Sequence, residues 1–232
     1  MKLSDFNGLF KKSFLKVVEI NNPYEDYFTV KMSYPKEMTW IPGEHGIFSI
    51  PGANIEGKKW RGFSIASSPQ EGFMLLGTRT GDTISSFKKE FLGLKKGDQI
   101  KIRGPFGWFK LQKKEKPVVF IAGGVGITPI RSVLTSMSDK EIKAHVIYSS
   151  KDFYLFEKDI KQIVNANKNI MLYKISGKKE TTEKITAIMD EYNNNAYYYI
   201  SGSIDFIKSN KNNLVSSGIK SSNIITDPFF GY

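Results

Sequence analysis

Two rhythms of apolar and polar positions run along this chain, and they change over at the charged stretch 112–117, QKKEKP, which reads as a linker. Before it, short runs rich in β-branched and aromatic residues recur at 27–32, 45–50, 61–67, 73–80 and 99–104, with turn residues between them. Short strands at that spacing predict an antiparallel β-barrel. A helix over 83–94 interrupts them, because Ile84, Phe87, Phe91 and Leu94 recur at helical spacing and Gly97 follows. The aromatics of that stripe read as core rather than site.

After the linker the pattern becomes strand, helix, strand, helix. Strands are predicted at 118–122, 144–149, 170–175, 197–200 and 224–226, with amphipathic stretches at 156–164 and 182–192 between them. Such alternation predicts a parallel sheet wound with helices. The run VVFIA from Val118 has the unbroken apolar character of a strand buried on both faces. The expected architecture is therefore two-domain, an antiparallel β-barrel over 1–112 followed by an α/β parallel-sheet domain over 113–232.

Composition narrows the chemistry. The 232 residues are 40% hydrophobic and 25% charged, enough to bury two ordinary cores. No cysteine is present, which removes disulfides, zinc ribbons, cysteine-ligated iron–sulfur clusters and thiol nucleophiles, so redox chemistry would require a bound organic cofactor. His45 and His145 stand far apart without ligand spacing and read as a barrel residue and a strand residue, so no metal site is expected. Lys2, Asp5, Lys11, Lys12, Lys16 and Glu19 interrupt the first stretch, no signal peptide is visible, and no later run reaches the roughly 18 apolar residues of a membrane span. A cytoplasmic location is the expectation. The net charge of +11 comes from scattered lysine doublets with no nucleic-acid module beside them, which suits an acidic protein partner better than nucleic acid.

Two segments carry candidate chemistry. In VVFIAGGVGITPIRSVL a buried strand runs into Gly123, Gly124 and Gly126, after which Thr128 can cap a helix whose first position is Pro129. Free amides at such a start, unobstructed at the glycines, seat a diphosphate, and a tight turn without ligand would use the same glycines. In RGFSIASSP, Arg61 can grip a phosphate bidentately while Ser64 and Ser67 supply short polar contacts, and an incidental surface arginine gives the same letters.

Taken in order, these segments resemble the ferredoxin–NADP reductase family over nearly the whole chain. The family's flavin signature, Arg-x-Tyr-Ser-x-x-Ser, corresponds to Arg61, Phe63, Ser64 and Ser67, with Gly62, Ile65 and Ala66 between them; phenylalanine stands where the family has tyrosine. The resemblance implies that Arg61 holds the flavin phosphate and that Ser64 hydrogen-bonds near the flavin N5. It implies that the FAD diphosphate rests on the helix start formed by Gly81, Asp82, Thr83, Ile84 and Ser85, with Ser85 in contact and Asp82 in place of a second glycine. Gly97 and Asp98, then Gly104, Pro105, Phe106, Gly107 and Phe109, resemble segments that close the family's barrel.

In the second half the nucleotide-diphosphate loop is matched by Gly123, Gly124, Val125, Gly126, Ile127, Thr128 and Pro129. The family's Cys-Gly-Pro turn facing the nicotinamide corresponds to Ser201, Gly202 and Ser203, and its adenine-ribose loop to Ser149, Ser150 and Lys151. The terminal Tyr232, or alternatively Phe230, corresponds to the aromatic residue that stacks on the flavin. The implied activity is hydride transfer between NADPH or NADH and FAD, with Ser64, Ser201 and Tyr232 around the reacting rings. Electrons then pass to a separate acidic carrier such as ferredoxin or flavodoxin. Alternatives are a free-flavin or ferric reductase, an oxygenase reductase component, or a non-catalytic subunit that keeps the fold.

Overall fold

A computed structural model describes residues 2–112, 116–137 and 141–227, and the chain divides into two compact units, one through Lys110 and one from Leu111. Of the linker stretch, 113–115 lie outside the described residues, as do Phe230 and Tyr232.

The first unit is a six-stranded antiparallel sheet in the order β4-β3-β6-β1-β2-β5. Its strands are β1 (Lys12–Tyr24), β2 (Tyr27–Ser33), β3 (His45–Ser49), β4 (Trp60–Ser64), β5 (Met74–Arg79) and β6 (Gln99–Phe106). The outer strands β4 and β5 meet through an antiparallel bridge between Ile65 and Leu76 and a bond from the Ala66 amide to the Leu75 carbonyl at 2.7 Å. That contact joins the two outer strands at one end and closes the sheet into a barrel-like form. The inward positions, among them Leu15, Val17, Val30, Phe48, Phe63, Leu76 and Ile102, form one buried core with Phe87 and Phe91 of helix α1 (Ser86–Gly93).

Two expectations change here. The strand expected over 61–67 stops at Ser64, because the chain beyond it turns to make the closing bridge. The helix expected over 83–94 begins at Ser86: Ser85 is extended and its side chain accepts the Lys88 amide at 3.3 Å, capping the helix. Thr83 and Ile84 therefore precede the helix, and Ile84 is 43% exposed instead of joining the apolar stripe.

The second unit is a five-stranded parallel sheet in the order β11-β10-β7-β8-β9. The strands are β7 (Val118–Gly123), β8 (Ala144–Ser149), β9 (Ile170–Ile175), β10 (Tyr197–Ser201) and β11 (Ile224–Thr226). Four helices connect them: α2 (Ile127–Thr135), α3 (Glu157–Ala166), α4 (Lys178–Tyr192) and α5 (Ile204–Ser216). β7 is buried from Val118 through Ala122, as a central strand covered on both faces requires. The chain lays β7, β8 and β9 in one direction and then returns to add β10 and β11 on the other side of β7. The order of strands thus reverses between β7 and β10, and in open parallel sheets that reversal opens a crevice beyond the carboxyl ends of the two strands. No helix among the described residues is long and apolar enough to cross a membrane.

Candidate functional site

In the barrel unit the flavin-signature residues separate into two groups. Phe63 is buried and stacks on Phe91 with centroids 5.2 Å apart and planes 16° apart, while its edge meets Phe48 at 5.6 Å. Its ring is committed to the barrel core. Ser67 is also buried; its hydroxyl donates to the Phe73 carbonyl at 2.8 Å and accepts the Leu75 amide at 2.9 Å, while its carbonyl takes the Trp40 indole N–H. Ser67 thereby pins the entrance of β5, and its hydroxyl is engaged by the protein itself; Ile65 and Ala66 are buried beside it. Ser64, half-buried, ends β4 opposite His45 on β3.

Arg61 lies near the start of α1, with its guanidinium carbon 5.5 Å from the Phe87 ring. Its Nη1 donates to the carbonyls of Lys58 and Trp60 at 2.8 and 2.9 Å, and partial burial lowers its pKa. Two further cations meet it there. Arg79, at the end of β5, grips Asp26 through Nε at 2.9 and 3.2 Å, and Asp26 also accepts the Gly81 amide at 3.1 Å. Lys88, in the first turn of α1, is 6% exposed, donates through Nζ to the Arg79 carbonyl, and feels the charges of Arg61, Arg79 and Asp26. Burial first, then the two arginines, push its pKa down to about 8 against the attraction of Asp26.

Gly81 holds a φ of +69°, a left-handed turn that suits glycine, and leads the chain into the α1 cap. Asp82 is exposed. Arg61, Arg79 and Lys88 thus gather with Asp26 beside a helix N-terminus whose amides favour an anion.

In the parallel-sheet unit, Gly123 ends β7 and Gly124 turns with a φ of +53° into a single 3-10 turn before α2. Helix α2 starts at Ile127, so Thr128 and Pro129 are its second and third positions, two further in than expected. The Thr128 hydroxyl donates back to the Val125 carbonyl at 2.7 Å and does not cap an amide. Pro129 is tolerated there because first-turn amides have no intrahelical acceptor.

The glycines permit an unusually close approach to the end of β10. A β-carbon on Gly126 would lie 2.2 Å from the Ser201 carbonyl oxygen, and β-carbons on Gly123 and Gly202 would each press on the Phe206 ring, at 2.9 and 2.7 Å. Ser201 is fully buried, and its hydroxyl points to the Asp227 carboxylate at 3.4 Å. Ser203 caps α5, accepting the Phe206 amide at 3.3 Å.

At the end of β8 the hydroxyls are already used. Ser149 Oγ lies 3.0 Å from the Thr181 hydroxyl, and the buried Ser150 donates to the Phe153 carbonyl at 2.6 Å. Lys151 is exposed. Lys174, on the neighbouring strand β9, is ion-paired to Glu157 and lies 4.5 Å from the Tyr154 ring centroid.

Residues 120–211 match the family described as "Oxidoreductase NAD-binding domain". A flavohemoprotein of Halalkalibacterium halodurans is 29% identical over 117 residues, spanning 47% of this chain and 28% of the relative. The toluate 1,2-dioxygenase electron transfer component of Pseudomonas putida is 27% identical over 136 residues, spanning 56% of this chain and 39% of the relative. Among solved structures, the ferredoxin-NADP+ reductase from Plasmodium falciparum superposes with a TM-score of 0.78 at 17% identity, covering 93% of this chain and 95% of that one. Residues 120–211 thus carry an oxidoreductase NAD-binding domain, and the chain shares the fold of ferredoxin-NADP+ reductase.

The chain spans well under half the length of these two curated relatives. The donor set of the barrel unit fits a flavin that carries a diphosphate, because Arg61, Arg79, Lys88 and the first-turn amides of α1 gather in one place. Sequence reasoning missed Arg79, Lys88, Phe206 and Asp227. For Lys88 a signal existed: it stands four residues after Ile84 and three before Phe91, on the apolar stripe itself, where a lysine is out of place unless it is used.

Proposed function

We propose that this chain transfers a hydride between NADPH or NADH and bound FAD, then passes electrons on to a separate acceptor. The observation that carries this reading is the union, in one chain, of a cation-lined helix start beside Arg61 with a glycine turn at the strand-order reversal of an NAD-binding unit. When bound, FAD supplies redox chemistry that no side chain here offers, accepting a hydride and releasing electrons one or two at a time. The protein's part is binding and orientation. Arg61, Arg79 and Lys88 would neutralise the diphosphate, Ser64 would donate near the reacting edge of the ring, and the Gly123–Gly126 turn would hold the dinucleotide's phosphates on first-turn amides. Ser201 would act through the tight backbone that positions Gly202, its hydroxyl being directed at Asp227.

The acceptor that suits this surface is an acidic carrier protein such as ferredoxin or flavodoxin, drawn by exposed lysines including Lys58 and Lys59 near β4. A role as the reductase component of an oxygenase is the second reading, favoured by the named function of the Pseudomonas relative. The test is steady-state oxidation of NADH and NADPH by the FAD-loaded full chain, first with ferricyanide and then with an acidic ferredoxin. Turnover with the dye is expected, and charge reversal at Lys58 and Lys59 should slow only the ferredoxin reaction, most at low salt. A flavin-loaded chain that oxidises neither nucleotide would refute the reading and favour a binding subunit.

A further inference from the structure

We propose that Phe206 is a nucleotide-binding residue of this chain: its ring fills the space that Gly123 and Gly202 leave and supplies the apolar surface on which the nicotinamide half of NADPH or NADH rests. The inference deepens the nucleotide reading of the parallel-sheet unit given above and rests on it.

Neither glycine is required by its own backbone. Gly123 ends β7 with φ −110° and ψ 114°, extended geometry open to any residue, and Gly202 also lies outside the left-handed region. What excludes a side chain is the ring of Phe206. A β-carbon on Gly123 would meet its Cγ at 2.9 Å and both Cδ atoms at 3.0 Å, and one on Gly202 would meet Cδ1 at 2.7 Å. The ring therefore covers the end of β7 and the turn after β10 together, at the point where strand order reverses. The space that a glycine opens to a ligand is closed here by an aromatic ring, so a nucleotide arriving beside Gly123 meets Phe206 and not bare backbone.

Phe206 is fixed there by its own helix. It stands in the first turn of α5, where the Ser203 hydroxyl accepts its amide at 3.3 Å and the Asn210 side chain donates to its carbonyl at 2.8 Å. It packs against the core that holds Ile121 of β7 and Ile200 of β10, yet the residue is only half-buried. Alanines at 123 and 202 would fill the same space with methyl groups belonging to the turns. Two glycines under one ring give the crevice an apolar wall carried by α5 instead. A dinucleotide whose diphosphate rests on the glycine turn lays its adenosine half over the following strand, β8, which leaves the β10 side to the nicotinamide and its ribose. A planar ring gains contact by stacking on an aromatic surface, and a fixed surface limits the poses open to it.

The experiment compares the FAD-loaded full chain with Phe206→Ala, Phe206→Tyr, Gly123→Ala and the double variant Gly123→Ala/Phe206→Ala, reading dissociation constants of NADP+, NAD+ and ADP by calorimetry and the urea midpoint of each protein. Phe206→Ala should weaken the tighter-bound dinucleotide by about tenfold and leave ADP, which carries the adenosine half and a diphosphate, unchanged. Phe206→Tyr should keep the parental affinities. Gly123→Ala should lower the midpoint, and the double variant should recover it, because the added methyl then occupies space the ring has left. Stability recovered without dinucleotide affinity assigns the ring to the ligand. If Phe206→Ala binds the dinucleotides like the parent, if it loses ADP equally, or if the double variant regains affinity along with stability, Phe206 only shapes the turn and the proposal falls while the nucleotide reading stands. If the parent chain binds neither dinucleotide, the nucleotide reading itself falls, and this inference with it.

Discussion

The backbone of Gly126 approaches the carbonyl of Ser201 so closely that a β-carbon added to the glycine would sit 2.2 Å from the carbonyl oxygen. That approach joins the turn after β7 to the turn after β10 at the point where strand order reverses. Gly126→Ala has no flexible side chain to displace, only backbone, and should cost about 1–3 kcal/mol while spreading the two turns. The check is a urea midpoint together with NAD(P)H affinity. The full chain should lose both, while FAD binding by the barrel unit is retained; an alanine variant with parental nucleotide affinity would show that the close approach does not shape the site.

Ser67 offers a second case in which a signature residue works for the fold. Ser67→Ala removes one acceptor from the Leu75 amide and one donor to the Phe73 carbonyl, both at buried positions. A loss of about 1–3 kcal/mol is expected in chemical denaturation. The flavin absorption spectrum of the surviving folded protein should match the parent, because this hydroxyl does not reach the ligand.

Phe63 sits in a ring cluster with Phe48, Phe87 and Phe91. Phe63→Ala should destabilise the chain by about 3–5 kcal/mol, as loss of a buried aromatic does. Equilibrium unfolding monitors this directly, and a cost below that of an exposed aromatic would remove Phe63 from the core.

His45 gives a pH dependence of definite sign. Burial, reinforced by the charge of Lys110, holds its pKa down to about 4, against 6.5 for a free imidazole. Between those two values the unfolded chain binds a proton that the folded chain refuses, so stability falls as the pH drops from about 6.5 to 4. Above that window both states are neutral at this residue and its contribution is flat. His45→Phe should show a shallower decline than the parent across the window in urea titrations at stepped pH, whatever the carboxylates contribute to both.

Much of the parallel-sheet unit was legible because its strands β7 and β8 are buried on both faces and read as continuous apolar runs; the expected strands at 144–149, 170–175 and 224–226 coincide with β8, β9 and β11. β1 was not legible. It occupies the middle of the barrel sheet, yet only Leu15 and Val17 are fully buried along it, and a register shift between Val17 and Glu19 breaks the alternation that would have marked a strand. The flavin signature was found by spacing, but spacing does not say which side chains are consumed locally. Phe63 and Ser67 are spent on the barrel, Ser149 and Ser150 on the loop after β8, and the Thr128 hydroxyl on its own turn. Lys88 escaped for the opposite reason, since a lysine in a helix is read as solvated unless its place on the apolar stripe is noticed.

The consumption of the β8 hydroxyls has a consequence for nucleotide choice. Since Ser150 donates to the Phe153 carbonyl, Ser150→Ala should loosen the loop and weaken NADH and NADPH by the same factor. A selective loss of NADPH, measured as the ratio of the two dissociation constants, would place that hydroxyl on a 2′-phosphate instead.

The central claim is that reduced nicotinamide delivers its hydride to a flavin held by this same chain. Anaerobic titration of the FAD-loaded protein with NADH and with NADPH, followed in the visible flavin band, tests it most directly. Bleaching that is complete at about one equivalent of at least one nucleotide, the stoichiometry of a two-electron transfer, is the predicted result. An oxidised flavin spectrum that persists through excess of both nucleotides would contradict it.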